Sequence, residues 1–120
     1  MKLPHPEQAV VEREKIVDYL LNDRHPDNGG KAAFFENVGF RREEWNMLAA
    51  ALLTLAQTAE VSQRVLSPHG AKYVIVGPLQ APGGHTAMVL TVWIIDEGLE
   101  AARLVTAYPW KVRVADGQGT

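Results

Sequence analysis

The stretch TAMVLTVWII, residues 86–95, decides the fold that this sequence predicts. It is the longest run of the chain that is rich in the β-branched and aromatic residues typical of strands. Both of its alternating sets of side chains are mostly apolar, so we expect each face to be at least partly covered. We therefore predict a central strand, with the other elements either paired with it or packed on it.

Three further strands are predicted from alternating apolar and polar residues, at 61–66, 72–76 and 103–108. Turn residues separate them, and the second strand is expected to end at Gly77 and Pro78. Because the connections between consecutive strands are short, the sheet is predicted to be an antiparallel meander.

Three helices are predicted before the strands, at about 12–21, 31–38 and 42–59. The third has a clear apolar stripe at helical spacing. Helices followed by strands indicate a single α+β domain with the helices on one face of the sheet. Its expected parts are an extended arm at 1–9, a helical layer at 10–59, an antiparallel sheet at 61–109 and a flexible tail at 110–120. Alternation at 112–114 leaves a short extra strand open.

The composition excludes several classes of protein. The 120 residues include no cysteine, which removes disulfides, thiolate metal ligands and a cysteine nucleophile. The net charge of −2 gives no overall basic signature for nucleic acid. No apolar run approaches the roughly 18 residues of a membrane helix, and the first residues do not read as a signal peptide. We therefore expect a cytoplasmic protein that does not bind a membrane.

The segment HPDNGGK, residues 25–31, invites comparison with a phosphate-binding loop. It lacks the glycine and the hydroxyl residue that a Walker motif requires, and it does not follow a strand. Two readings stay open: a loop whose glycine N–H groups and Lys31 hold an anion, or a plain turn between two helices.

No two of the four histidines have the spacing of ligands on one helix or strand, so neither a metal nor a cofactor is expected. His85 precedes the central strand and is a candidate general acid or base. In the last strand, Arg103 is a candidate phosphate ligand, while Thr106 and Tyr108 could present two hydroxyl groups to one substrate.

These catalytic candidates are joined by candidate substrate-binding residues, namely Lys72 and Tyr73 on the second strand and His25 and Lys31 from the helical side. If register brings them together, they provide the acid–base group and the cations that a metal-free ribonuclease needs. The alternative is that the open sheet face, with Trp93, Tyr73, Thr91 and Tyr108, binds a protein partner.

Six segments together resemble an uncharacterised bacterial domain family: HPDNGGKAAFF, GFRREEW, GAKYVIVGPL, PGG, TVWII and RLVTAYP. The resemblance extends from about residue 3 to 109. The family has no assigned activity, so it implies a fold relative. His85 and Leu90 stand where its pattern has basic residues.

A looser resemblance, at the level of fold and the TAYP-like strand, is to the barnase, EndoU, colicin and RelE group of ribonuclease toxins. It implies an endoribonuclease that acts on RNA without metal or cofactor and is neutralised by an antitoxin or immunity protein. The alternative is a non-catalytic module that binds a protein or forms a homodimer through its open sheet face.

Overall fold

The computed structural model describes residues 1–111. Three helices precede a four-stranded antiparallel sheet, which confirms the predicted α+β class. The strands, in chain order and in spatial order, are β1 (Val61–Ser67), β2 (Gly70–Gln80), β3 (Thr86–Asp96) and β4 (Arg103–Pro109). No helix within this range is long and apolar enough to cross a membrane. Most of the predicted tail and the segment 112–114 lie outside the described residues.

The first helix differs most from its prediction. Helix α1 starts as a single α-turn, Arg13–Lys15, and continues as a π-helical turn, Ile16–Leu20. The N–H of Leu21 donates to the carbonyl of Ile16 at 2.8 Å, which closes the wider turn. Helices α2 (Lys31–Asn37) and α3 (Trp45–Thr58) are regular, and a short 3₁₀ turn precedes α3.

The core lies between the helices and one face of the sheet. The apolar stripe predicted for α3 is buried against β2 and β3. A Cβ atom on Gly77 would come within 2.7 Å of the Leu55 side chain, so the missing side chain lets α3 approach β2 closely. The largest fully buried side chains are Trp93, Phe35, Leu3, Ile16, Leu20, Leu48, Leu52, Ile75, Leu79 and Leu104.

Strand β2 continues past the point where its end was predicted. Pro78 pairs with Met88, inside the ladder between β2 and β3. Proline is tolerated there because β1 pairs with β2 only as far as Ile75. Beyond Ile75 the strand has a neighbour on one side alone, so Pro78 behaves as an edge residue with no ladder bond to lose.

The prediction that Trp93, Tyr73 and Thr91 line the open face is wrong, because all three are buried on the helix-covered face. The Thr91 hydroxyl donates to the Ile75 carbonyl at 2.9 Å and accepts from the Trp93 indole N–H at 2.8 Å. Both sets of β3 side chains are apolar, so alternation alone did not distinguish the two faces. Packing favours burial of the face that carries Trp93, which has the largest ring.

Candidate functional site

Polar and aromatic side chains converge where α1 and the loop at residues 22–30 meet β4. The contacts come from three separate parts of the chain, and most of them involve one tyrosine side chain. We call this group the Tyr19 cluster; its members are Lys15, Tyr19, His25, Lys31, Thr106 and Tyr108.

Tyr19 joins the helical layer to the last strand. Its hydroxyl lies 2.9 Å from the Thr106 hydroxyl oxygen, and either group can donate. Thr106 follows a bulge in β4, at the point where the register with β3 shifts. Bulges redirect side chains and are frequent beside functional sites. The contact therefore presents two paired hydroxyl groups at this edge of the sheet.

Two ammonium groups flank the Tyr19 ring. The Lys15 nitrogen lies 5.3 Å from the ring centroid, and the Lys31 nitrogen lies 5.6 Å from it. Lys31 is also 5.9 Å from the centroid of the Tyr108 ring. Contacts of this kind hold a cation in place while leaving part of its charge available to a ligand.

Lys31 is further fixed by the backbone. Its ammonium donates to the carbonyls of Asp27 at 3.3 Å and Asn28 at 3.1 Å. An ammonium has three N–H donors, so these two bonds leave one for an incoming anion. The side chain is half-buried, which limits the water that would screen its charge.

His25 packs edge-on against Tyr19, with ring centroids 5.0 Å apart at an angle of 67°. Its Nδ1 accepts the backbone N–H of Asp27 at 3.0 Å. A neutral imidazole that accepts at Nδ1 carries its proton on Nε2. This contact therefore assigns Nε2 as the hydrogen-bond donor of His25.

The loop that carries His25 is built from consecutive turns. The N–H of His25 donates to the Asn22 carbonyl and that of Asn28 to the His25 carbonyl, with Pro26 at the second position of the latter turn. The segment 25–31, for which an anion-binding loop and a plain turn were both open, is thus formed by consecutive turns between two helices, with Lys31 at its end. Helix α2 is seven residues long, and its N-cap residue is Gly30.

Asn28 fastens this loop to the rest of the molecule. Its side chain is buried; the amide donates to the carbonyls of Tyr19 at 2.6 Å and Leu20 at 3.3 Å. The amide oxygen accepts the N–H of Ala32 at 3.0 Å. One side chain therefore ties the end of α1 to the start of α2, and so sets His25 and Lys31 relative to Tyr19.

Two shallow clefts adjoin at the cluster. One, of about 390 Å³, is lined by 29–31 together with Tyr108 and Pro109. The other, of about 260 Å³, is lined by Lys15, Tyr19, His25, Asp27 and Val105. Since Lys31 in the first contacts Tyr19 in the second, the two clefts form one surface with cations, hydroxyl groups and an imidazole.

The structure brings together four of the residues predicted as a site, namely His25, Lys31, Thr106 and Tyr108. His85 does not join them or Arg103. It precedes β3, whereas Arg103 pairs with Ile94 near the other end of that strand. At the usual rise per residue this separation is roughly 30 Å.

Lys72 and Arg103 share a register row, since each pairs with Ile94 from opposite sides. Arg103 is engaged by Asp96, with Nε donating to Oδ2 at 2.9 Å and Nη2 donating to Oδ1 at 3.2 Å. This hydrogen bond, with the charge of Arg103, lowers the pKa of Asp96 below its ordinary value. The same contact raises the pKa of Arg103.

Tyr73 is buried beneath Arg64, whose Nε donates to its hydroxyl at 3.2 Å.

Sequence reasoning missed Lys15, Tyr19 and Asp27. The four-residue spacing of Lys15 and Tyr19 on a helix was the available signal, because such residues share one face. Asp27 carried no distinguishing signal in a loop rich in turn residues. Within 1–111, no three histidine or carboxylate side chains converge as ligands for a metal ion.

Comparison with known proteins gives a family and a fold relative. The model of a family described as a domain of unknown function, DUF6883, matches residues 2–111. A chain of the contact-dependent growth inhibition toxin–immunity protein complex from Klebsiella pneumoniae 342 is similar in fold, with a TM-score of 0.69 at 14% identity. The alignment covers 89% of this chain and 97% of that one. No curated protein matches significantly.

Proposed function

Because this chain belongs to the DUF6883 family, a domain of unknown function, we propose its function from the site: a toxin-like ribonuclease that a cognate inhibitor neutralises. The observation that carries the proposal is the Tyr19 cluster. It sets two ammonium groups, an imidazole donor and a pair of hydroxyl groups around adjoining clefts. The fold likeness to a chain of a toxin–immunity protein complex supports the toxin-like part.

RNA cleavage through its own 2′-hydroxyl needs no cofactor. The 2′-oxygen attacks the adjacent phosphorus, the 5′-oxygen leaves, and a 2′,3′-cyclic phosphate forms. The enzyme has to hold the phosphate, stabilise the negative charge that develops on it, and move two protons. Lys15 and Lys31 are the groups that we propose for the phosphate, with the hydroxyls of Tyr19 and Thr106 as additional donors.

The two proton transfers are assigned from the second cleft. We assign the proton for the leaving 5′-oxygen to Nε2 of His25 in its imidazolium form, which is reached when Nδ1 takes up a proton and releases the backbone N–H of Asp27. Asp27 lines the same cleft and supplies a carboxylate that can accept the 2′-hydroxyl proton. After the reaction, water-mediated exchange returns both groups to their starting protonation states.

The test is cleavage of a mixed-sequence RNA by purified protein in EDTA, with detection of 2′,3′-cyclic phosphate ends. His25→Ala is expected to lower the rate by about 10²–10⁴-fold, the usual contribution of a general acid. His69→Ala, which removes an exposed histidine from the β1–β2 turn, is the matched control and is expected to retain full activity. Absence of cleavage by well-folded wild-type protein would refute the ribonuclease assignment.

A second candidate function, a non-catalytic module that binds a protein partner, has its own support. The face of the sheet away from the helices is apolar along its middle, and Met88 on it is 39% exposed. Val74, Val76 and Val92 are half-buried, and Val74 lies directly opposite Val92 on this face. If the RNA assay gives no cleavage, this face is the surface on which to seek the partner.

A further inference from the structure

Strand β1 is an exposed sheet edge with an apolar surface. Every residue from Ser62 to Ser67 is exposed, and Val65 and Leu66 are 44% and 67% exposed. A strand edge presents unpaired N–H and C=O groups, and folded proteins usually protect such edges with charge, proline or a covering segment. An unprotected apolar edge is therefore a surface suited to pairing with another strand.

Arg64 is the charged residue of β1, and its side chain does not protect the edge. The Arg64 guanidinium lies 5.9 Å from the Tyr73 ring centroid, and its Nε donates to the Tyr73 hydroxyl. The side chain therefore folds inward over β2 instead of projecting from the edge.

The free part of the edge is short and centred on Val65. At its start the N–H of Val61 already donates to the carbonyl of Met1 at 2.7 Å. The register with β2 then shifts between Val61 and Gln63. A regular segment remains at 63–67, with Val65 in its middle, and no other strand within residues 1–111 pairs with its outer side.

The opposite edge of the sheet is partly occupied by other segments of the chain. Val10 bonds to β4 through Ala102 and Leu104, at 2.8 and 3.0 Å, and Tyr19 covers Thr106 further along. Pairing of β1 with β4 of another copy would therefore have to displace the arm and α1. Of the pairings between copies, β1 with β1 leaves both folds intact and closes as a two-fold dimer.

We propose that two copies of this chain associate through β1, antiparallel and centred on Val65, to form one continuous sheet. Directly opposed residues share a face, so Val65 meets Val65 of the second copy and Leu66 lies opposite Arg64. A register centred on Arg64 would instead oppose two guanidinium groups, which is unfavourable. The charge pattern and the apolar pattern therefore both favour a register centred on Val65, which is also the middle residue of the segment 63–67.

The absence of cysteine from the 120 residues permits a sharp test. Opposed Cβ atoms in an antiparallel pair lie about 4.5–5.5 Å apart, close to what a disulfide requires. Val65→Cys is therefore expected to cross-link to itself under oxidised glutathione. Gln63→Cys, on the same strand, would place its two thiols roughly 13 Å apart and is the register control. Leu99→Cys, exposed in the β3–β4 turn, is the control for random collision.

The second measurement is sedimentation of the cysteine-free chain over a range of concentrations, where a dimer is expected. Leu66→Lys, which sets an ammonium opposite Arg64 of the second copy, is expected to give a monomer that still unfolds cooperatively, at a melting temperature that does not depend on protein concentration. Leu99→Lys should remain dimeric. A monomeric wild type, equal cross-linking of the three cysteine variants, or preferential cross-linking at Gln63→Cys would overturn the proposal.

Discussion

The two edges of the sheet differ in whether other segments of the chain cover them. Along β4, the arm supplies a backbone bridge at Val10, α1 supplies Tyr19, and the start of α2 supplies Lys31 over Tyr108. Along β1, residues 63–67 are exposed, and no other strand in the described part of the chain pairs with their outer side. The covered edge gathers polar side chains from three parts of the chain, whereas the bare edge offers backbone groups and two apolar side chains.

This difference indicates which edge of the sheet can carry a catalytic site. A half-buried site needs side chains from several elements, and the helices reach only one edge of the sheet. At that edge, cations are held by rings and carbonyls and their charge is less screened. At the other edge, residues 62–67 are exposed to water, and the proposal for this edge is association with a second copy. The predictions below test this contrast.

The largest expected effect is on RNA cleavage and compares one lysine from each side of the sheet. Lys31→Ala removes a fixed ammonium from the β4 edge and is expected to slow cleavage by about 10²-fold, as loss of one preorganised donor does. Lys72→Ala removes an exposed ammonium beside β1 and is expected to change the rate far less. Single-turnover rates in EDTA measure both, and equal losses would place the substrate elsewhere.

The next effect concerns the segment that covers the β4 edge. Asn28→Ala leaves the buried Leu20 carbonyl and the N–H of Ala32 without this partner, and it removes one of two bonds to the Tyr19 carbonyl, which also accepts the N–H of Asn22. We expect a loss of about 2–4 kcal/mol in the free energy of unfolding, measured by urea denaturation. Asn22→Ala, which breaks two exposed loop bonds, is the matched control and should cost less than about 1 kcal/mol. Equal costs would show that Asn28 does not anchor the loop.

The smallest effect is the pH dependence that the Asp96–Arg103 pair contributes. The pKa of Asp96 is lowered in the folded state, first by its hydrogen bond with Arg103. Its stabilisation is therefore complete above the ordinary aspartate pKa of about 3.9 and is lost as the pH falls through the lowered value. Both side chains are partly exposed, so the contribution is small. In Arg103→Gln, the free energy of unfolding should fall less steeply between pH 5 and pH 2 than in the wild type. An unchanged dependence on pH would contradict this assignment.

The fold was predictable because its signals are local and repeated. The β-branched and aromatic residues of 86–95 and the apolar stripe of α3 each recur several times within their segments, so single exceptions do not hide them. Two local features escaped prediction. The π-turn at Ile16–Leu20 has no sequence signature, and Pro78 within β2 depends on where β1 ends.

The site was half predictable, because residue type suggests chemistry without giving position. His25, Lys31, Thr106 and Tyr108 were identified and are brought together, whereas His85, Lys72 and Arg103 lie elsewhere. Strand register placed His85 and Arg103 near opposite ends of β3, and a register cannot be read from one sequence whose strand is apolar on both faces.

The sequence by itself determined the α+β class, the order of the elements and the turns between them, since hydrophobic period and turn residues act over a few neighbours. Only the tertiary structure decided which face of β3 holds Trp93, which edge the helices cover, and that Tyr19 is the centre of the cluster. Those outcomes depend on packing and pairing between residues up to 87 positions apart, as in the contact of Tyr19 with Thr106. Such contacts are selected by the free energy of the whole molecule and leave no local pattern.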